Sequence, residues 1–181
     1  MNKVNLHILP ECFVDTLLVQ MLLQIKGVNH QKGTGAVTRN MQTKFKDAFA
    51  IGVIDNDKEQ STYAKESVVI AQSKEITLCK HPDSFHYIIK INNVMEKFIL
   101  NCANDLGIDL SSEGLPADLE GLKAITKSQD SLNNPLLKKA LRVIGDAKEI
   151  RLLTDILKYL NDKKYESSDA ELQAIFSKFC F

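Results

Sequence analysis

The chain has 181 residues, 44% of them hydrophobic and 25% charged, and its 23 basic side chains balance 23 acidic ones. This is the composition of a globular protein long enough to bury a core. Zero net charge argues against a generally basic nucleic-acid coat but allows a local basic groove. No apolar run reaches the roughly 18–20 residues of a membrane span and no signal peptide is recognisable, so no membrane contact is expected. Four scattered cysteines predict free thiols in a reducing cytoplasm.

The first predicted elements are a short strand and a helix. Apolar residues alternate with polar ones from Val4 to Leu9, which predicts a strand that Pro10 ends. Apolar side chains then recur every four residues over 12–25, which predicts a helix ended by Gly27. A second short strand is predicted around Val28.

The clearest strand is Ala48 to Ile54, which is apolar throughout, as expected for a parallel strand covered on both faces. A helix is predicted just before it, over 36–45, and two further strands after it, over 75–79 and 85–91.

Beyond residue 92 the pattern is helical. Five helices are predicted, over 94–106, 119–127, 135–145, 147–160 and 169–179. Strands that alternate with helices and then give way to helices alone predict an α/β fold, with a mostly parallel sheet covered by helices on both faces. We expect an α/β domain over 1–108 and a helical C-terminal extension over 109–181, which offers a surface for a second copy or a partner protein.

Acidic residues follow both of the first two strong strands. Glu11 stands at the carboxyl end of its strand, where ligands bind open α/β sheets, and Asp15 lies one helical turn later. Alternatively, both are acids of a first helical turn, favoured by the helix dipole. Asp55 and Asp57 end the apolar strand with a spacing that suits one Mg²⁺, although Asp-Asn-Asp also suits a turn that caps local amides. The conjunction favours a metal site, because crowded carboxylates repel one another unless a cation neutralises them.

These motifs resemble those of the Toprim domain. The segment from Leu6 to Asp15 is similar to the first Toprim motif, a strand ending in glutamate with an aspartate four residues later. Ile51 to Asp57 is similar to the second, a strand ending in Asp-x-Asp, and Glu96 resembles a further glutamate of the nuclease members named for overcoming lysogenisation defect. The glycine that usually follows the first glutamate is Cys12 here, where a side chain narrows the approach of a phosphate.

The resemblance covers about residues 1–100 and implies a Toprim-like, Rossmann-like fold that performs Mg²⁺-dependent (or Mn²⁺-dependent) phosphoryl transfer on DNA or RNA. It implies that Glu11 and Asp15 are catalytic and that the metal ligands are Glu11, Asp55, Asp57 and Glu96. A nuclease is the expected activity.

A glycine loop precedes the second predicted helix. Lys32, Gly33 and Gly35 are predicted to present a cation and backbone amides to a phosphate, or else to form a flexible solvated loop. The full Walker pattern is absent, which argues against an ATPase.

Two rival functions remain open. A haloacid-dehalogenase-like phosphatase also uses Asp-x-Asp after a strand, but normally after its first strand and with Thr or Val where Glu59 stands here. A non-catalytic, Toprim-derived module that binds nucleic acid or a partner protein, for example in phage defence, is favoured by Cys12 and by the neutral net charge.

Overall fold

The computed structural model of the protein describes residues 4–56 and 60–179. The strands are Val4–Asn5 (β1), Ile8–Pro10 (β2), Gly27–Val28 (β3), Ala50–Asp55 (β4), Val68–Gln72 (β5), Ile76–Lys80 (β6) and His86–Ile91 (β7). The α-helices are Phe13–Leu23 (α1), Thr34–Thr43 (α2), Thr62–Glu66 (α3), Met95–Asp105 (α4), Leu119–Thr126 (α5), Pro135–Val143 (α6), Lys148–Lys163 (α7) and Asp169–Ser177 (α8). Short 3-10 helices span Leu110–Glu113, Gln129–Asn133 and Lys164–Glu166.

The main sheet has five strands in the order β2-β4-β7-β6-β5 and is mixed. Strands β2, β4 and β7 are parallel, whereas β6 is antiparallel to both of its neighbours. β1 and β3 form a separate parallel pair. The α/β class is confirmed, but the mostly parallel sheet that we expected describes only the three strands beside the candidate site. Strands β5, β6 and β7 follow one another through short turns. Because short turns connect antiparallel strands, this half of the sheet is antiparallel.

Helices cover both faces of the sheet, as predicted. Because side chains alternate along a strand, Ile51 and Val53 of β4 join the core that contains α1, α4 and the C-terminal helices, whereas Ile54 joins a smaller core with α2 and α3. Gly52 faces α2, and a Cβ there would lie 3.0 Å from atoms of Val37 and Met41. Glycine therefore lets α2 pack directly on the central strand.

The C-terminal region is helical, as predicted, and it packs on the same sheet face as α1 and α4. α7 contacts α1 and α4, and α8 contacts β5, so one continuous core runs from Ile8 to Phe176. The boundary at residue 108 stays a prediction, since this core includes residues from both sides of it. No helix within the described ranges is long and apolar enough to cross a membrane.

Several element boundaries differ from the predictions. α1 ends at Leu23 because Gln24 adopts a left-handed conformation (φ 53°), and Gly27, the predicted terminator, belongs to β3. The first predicted strand is split into β1 and β2. α3 and β5 were not predicted, and β5 is an edge strand whose Val68 and Val69 are exposed, which breaks the alternation that marks a half-buried strand.

Candidate functional site

Glu11 lies at the carboxyl edge of the parallel strands. β2 pairs with β4 in the register Pro10–Val53, and the backbone N–H of Glu11 continues this pairing by donating to the Val53 carbonyl at 2.9 Å. The Glu11 carboxylate then reaches across the strand end, where its Oε2 accepts hydrogen bonds from the Asp55 backbone N–H (3.0 Å) and from Thr34 Oγ1 (2.7 Å). Parallel pairing thus brings the two predicted acidic motifs into direct contact.

Asp55 is the last residue of β4 and is buried. By strand alternation it faces the same side as Val53, toward α4. Its Oδ1 accepts the backbone N–H of Met95 at 3.0 Å, the first residue of α4. A carboxylate at a helix N-terminus is stabilised by the helix dipole, so Asp55 caps α4 in addition to its contact with Glu11. Asp57, the second acid of this motif, lies outside the described residues.

Glu96 is brought to the same place by α4. It is the second residue of that helix, is largely buried, and its Oε1 accepts a hydrogen bond from Thr126 Oγ1 at the end of α5. The C-terminal helical region therefore contributes directly to the orientation of a predicted metal ligand.

An open cleft of about 260 Å³ is lined by Glu11 and Glu96 but not by Asp55. Its walls combine acids, cations and aromatic rings, contributed by Glu11, Cys12, Phe13, His30, Gln31, Lys32, Gly33, Glu96, Thr126 and Lys127. Glu11 and Glu96 thus share one cleft, with Lys32 and Lys127 exposed beside them.

Asp15 lies behind the cleft and does not line it. It is only 1% exposed, and its Oδ2 accepts the Cys12 backbone N–H at 3.1 Å, which closes the start of α1. Its Oδ1 is buried without a hydrogen-bond partner within the described part of the chain. Burial raises the pKa of Asp15 to about 7, and the charges of Glu11 and Glu96 act in the same direction. Asp15, Glu11 and Glu96 are therefore close enough to interact electrostatically.

Cys12 occupies the position at which the resemblance implies glycine. It is half-buried, lines the cleft and precedes the first helical residue of α1. Burial raises the pKa of its thiol, and neighbouring Asp15 raises it further, so Cys12 remains a neutral thiol rather than a thiolate nucleophile. Cys79 and Cys102 are also free thiols, and Cys180 lies outside the described residues.

The predicted phosphate loop is divided between two clefts. The backbone N–H groups of Gln31 and Gly33 bond to the carbonyls of Pro10 and Glu11, so the loop runs along the end of β2. Gly33 has φ +92°, which strains any other residue, and it precedes α2 directly. Lys32 and Gly33 line the acidic cleft, whereas Gly35 lines a neighbouring cleft of about 390 Å³ with Thr34, Gln60 and Lys65.

The described acids do not by themselves form a metal site enclosed by protein. Among the described residues, no three His, Cys, Asp or Glu side chains are arranged to hold a metal ion together. Mg²⁺ commonly keeps several waters and takes only one or two carboxylates. Within those same residues, hydrogen bonds engage Oε2 but not Oε1 of Glu11, and Oε1 but not Oε2 of Glu96. One carboxylate oxygen of each glutamate therefore accepts no hydrogen bond within the described residues.

Five cleft residues were not predicted from the sequence as parts of the site: Phe13, His30, Gln31, Thr126 and Lys127. Thr126 and Lys127 carry no local signal, because only the packing of α5 against α4 brings them to Glu96. Phe13 at the start of α1 stacks on His30 in a loop beyond the end of that helix. No sequence periodicity predicts a contact between two such positions.

Comparisons with known proteins leave the chain without a family assignment. No protein-family model matches it, and neither a curated protein nor a solved structure does so.

Proposed function

We propose that the protein is a Mg²⁺-dependent (or Mn²⁺-dependent) phosphoryl-transfer enzyme acting on nucleic acid, specifically a Toprim-type nuclease. One observation carries the proposal: Glu11 and Glu96 line a single cleft at the carboxyl edge of parallel strands, with Lys32 and Lys127 beside them. An acidic floor suits a divalent cation, and flanking lysines suit the phosphate that the cation would contact.

The chain's own residues have distinct parts in this proposal. The carboxylates of Glu11 and Glu96 would hold the cation, with Asp55 and Asp57 as the further proposed ligands. Asp15 fixes the Cys12 backbone behind the cleft. Lys32 would neutralise substrate phosphate. A bound Mg²⁺ would supply charge stabilisation at the phosphoryl group.

A non-catalytic binding module is the second candidate, and the hydrogen bonding of the acids favours it. Glu11 Oε2 already accepts two bonds and Asp55 Oδ1 caps α4. Both interactions would persist in a domain that had lost its metal. We propose a cytoplasmic location in either case, in keeping with the free thiols of Cys12, Cys79 and Cys102, and contact with a second copy or a partner protein through the C-terminal helices.

Calorimetry with Mn²⁺, followed by cleavage assays on single- and double-stranded DNA and RNA, separates the two candidates. The enzyme proposal predicts metal binding, metal-dependent cleavage and loss of both in Glu11→Gln, which retains the shape of the side chain and its ability to accept hydrogen bonds. A folded wild-type protein that binds no Mn²⁺ and cuts none of these substrates would favour the binding module. Cleavage that is unchanged in Glu11→Gln would place the chemistry outside this cleft.

A further inference from the structure

Two aromatic rings form one wall of the acidic cleft. Phe13 and His30 stack with their centroids 4.2 Å apart and their planes 15° from parallel, and each is only partly buried. The Phe13 side chain projects from the first residue of α1, and His30 lies in the loop that follows β3. The cleft therefore contains a flat aromatic surface that is formed before any ligand binds.

The orientation of His30 is fixed by hydrogen bonds as well as by stacking. Thr16 Oγ1 donates its single proton to the Cys12 carbonyl at 2.7 Å, and it lies 3.0 Å from His30 Nδ1. The hydroxyl must then accept from the imidazole, so Nδ1 carries the ring proton. Burial lowers the pKa of His30, so the ring is neutral at physiological pH. A fixed, neutral ring pair loses little conformational entropy when a flat ligand packs against it.

Cations line the same cleft from two separate parts of the chain. Lys32 lies in the loop before α2, and Lys127 follows the last residue of α5, whose Thr126 bonds to Glu96. Both lysines are exposed. A phosphate between them would lie near the acids that are proposed to hold the cation.

We propose that this cleft binds one unpaired nucleotide of a nucleic-acid strand, with its base on the Phe13–His30 stack and its phosphate at Lys32 and Lys127. One part of this proposal, the presence of a cation nearby, rests on the function proposed above. The cleft is open and measures about 260 Å³, which limits the ligand to about one nucleotide unit at a time. Bases within a duplex are stacked on each other and cannot offer a face to an aromatic ring, whereas unpaired bases can. The substrate class is therefore a single strand or an unpaired end.

Fluorescence anisotropy with a labelled oligothymidylate of about eight nucleotides, a typical single-strand site size, tests the base contact. The measurement is made in Ca²⁺, which neutralises carboxylates through oxygen ligands. We expect the intact oligomer to bind about tenfold more tightly than the same backbone without bases, and more tightly than a blunt duplex. Equal binding of the three probes would overturn the proposal, and this comparison requires no protein variant.

Two sets of variants assign the contacts, three for the base and two for the phosphate. Phe13→Leu should remove most of the preference for the intact oligomer and Phe13→Tyr should keep it, while Phe85→Leu, at an aromatic ring exposed elsewhere, should leave it unchanged. Lys127→Met should reduce the salt dependence of binding by about 0.7 in the slope of log K against log salt. Lys123→Met, one turn earlier on α5 and paired with Glu120, should leave that slope unchanged. A base preference that survives in a folded Phe13→Leu variant would overturn the placement of the base.

Failure of this inference is distinguishable from failure of the proposed function. Metal-dependent cleavage that is equally fast on blunt duplex and on single strand would leave the enzyme proposal standing and overturn the unpaired-nucleotide proposal. Base-dependent binding in a protein without Mn²⁺ affinity would leave the unpaired-nucleotide proposal standing and overturn the enzyme proposal.

Discussion

Among the residues that the structure describes, the buried acids form two groups, and one of these opens onto a cleft with flanking lysines. At the strand ends, Glu11 and Glu96 share the cleft with Lys32 and Lys127. On the same sheet face, but at the turn between β5 and β6, Glu75 lies near Glu149 of α7, both buried.

The second group consists of acids with partners that tie secondary-structure elements together. Glu149 Oε2 accepts from Ser73 Oγ at 2.6 Å, Glu75 Oε1 accepts from Asn101 Nδ2 at 2.9 Å, and Lys74 lies 3.7 Å from Glu75. These bonds join the β5–β6 turn to α4 and α7. Burial raises the pKa of Glu149, as it does that of Asp15. A raised pKa is thus not sufficient evidence that an acid belongs to a functional site. Whether the group of acids opens onto a cleft distinguishes a functional role from a structural one.

The largest expected difference between the two groups concerns metal-dependent cleavage. Glu96→Gln keeps the acceptor for Thr126 but removes the charge that would hold a cation. We expect cleavage to fall about 1,000-fold, since a catalytic metal supplies several kcal/mol of transition-state stabilisation. Glu149→Gln is the matched control, because it is also a buried helical glutamate with a hydroxyl donor. Equal losses in both variants would remove the distinction between the groups.

The next effect is on stability, through Asp15. Its folded pKa of about 7 exceeds the ordinary value of 3.8, so the folded protein binds a proton that the unfolded chain has released. Stability should therefore fall as pH rises from about 4 to about 7, and the full penalty applies above pH 7. Asp15→Asn removes this titration and places amide donors near Glu11 and Glu96. Urea unfolding in a metal chelator should show an advantage for the variant of about 4 kcal/mol at pH 8 that nearly vanishes at pH 4. An advantage independent of pH would contradict a raised pKa at Asp15.

Variants of Thr126 test whether the C-terminal helices orient Glu96 as a metal ligand. Thr126→Val keeps the shape of the side chain but deletes the donor to Glu96, and we expect Mn²⁺ affinity to fall about tenfold, as is usual for supporting hydrogen bonds. Thr126→Ser should restore the affinity, since it restores the hydroxyl. Calorimetry measures both variants, and a weak Thr126→Ser variant would indicate that packing of the methyl group is what matters.

The smallest expected effect is at the second acid group. Ser73→Ala removes the hydroxyl that donates to Glu149 and accepts from the Ile76 backbone N–H. We expect a loss of about 1 kcal/mol in the free energy of unfolding, the usual scale for such bonds, and no change in Mn²⁺ affinity. Chemical denaturation and calorimetry on one preparation test both statements. A change in Mn²⁺ affinity would show that the two acid groups are coupled.

The local sequence pattern was sufficient to predict the strands and the helix that carry Glu11, Asp15 and Asp55. The apolar run ending at Asp55 is a buried parallel strand, and Glu11 follows the strand beside it. The helices of the second half were predicted with small errors at their ends, because amphipathic periods and caps such as Asn134 before Pro135 are local. The edge strand β5 was missed because its exposed valines follow no alternation.

The sequence by itself determined that acids stand at strand ends, since strand pattern and chain order are properties of short segments. Tertiary structure alone decided that Glu11 bonds to the Asp55 amide, that Asp15 is buried behind the cleft, and that Gly35 faces a different cleft from Gly33. It also decided that Thr126 and Lys127 join the site, because these contacts depend on how α5 packs against α4. Packing between elements distant in the chain follows from the shape of the whole core, and no local period records it.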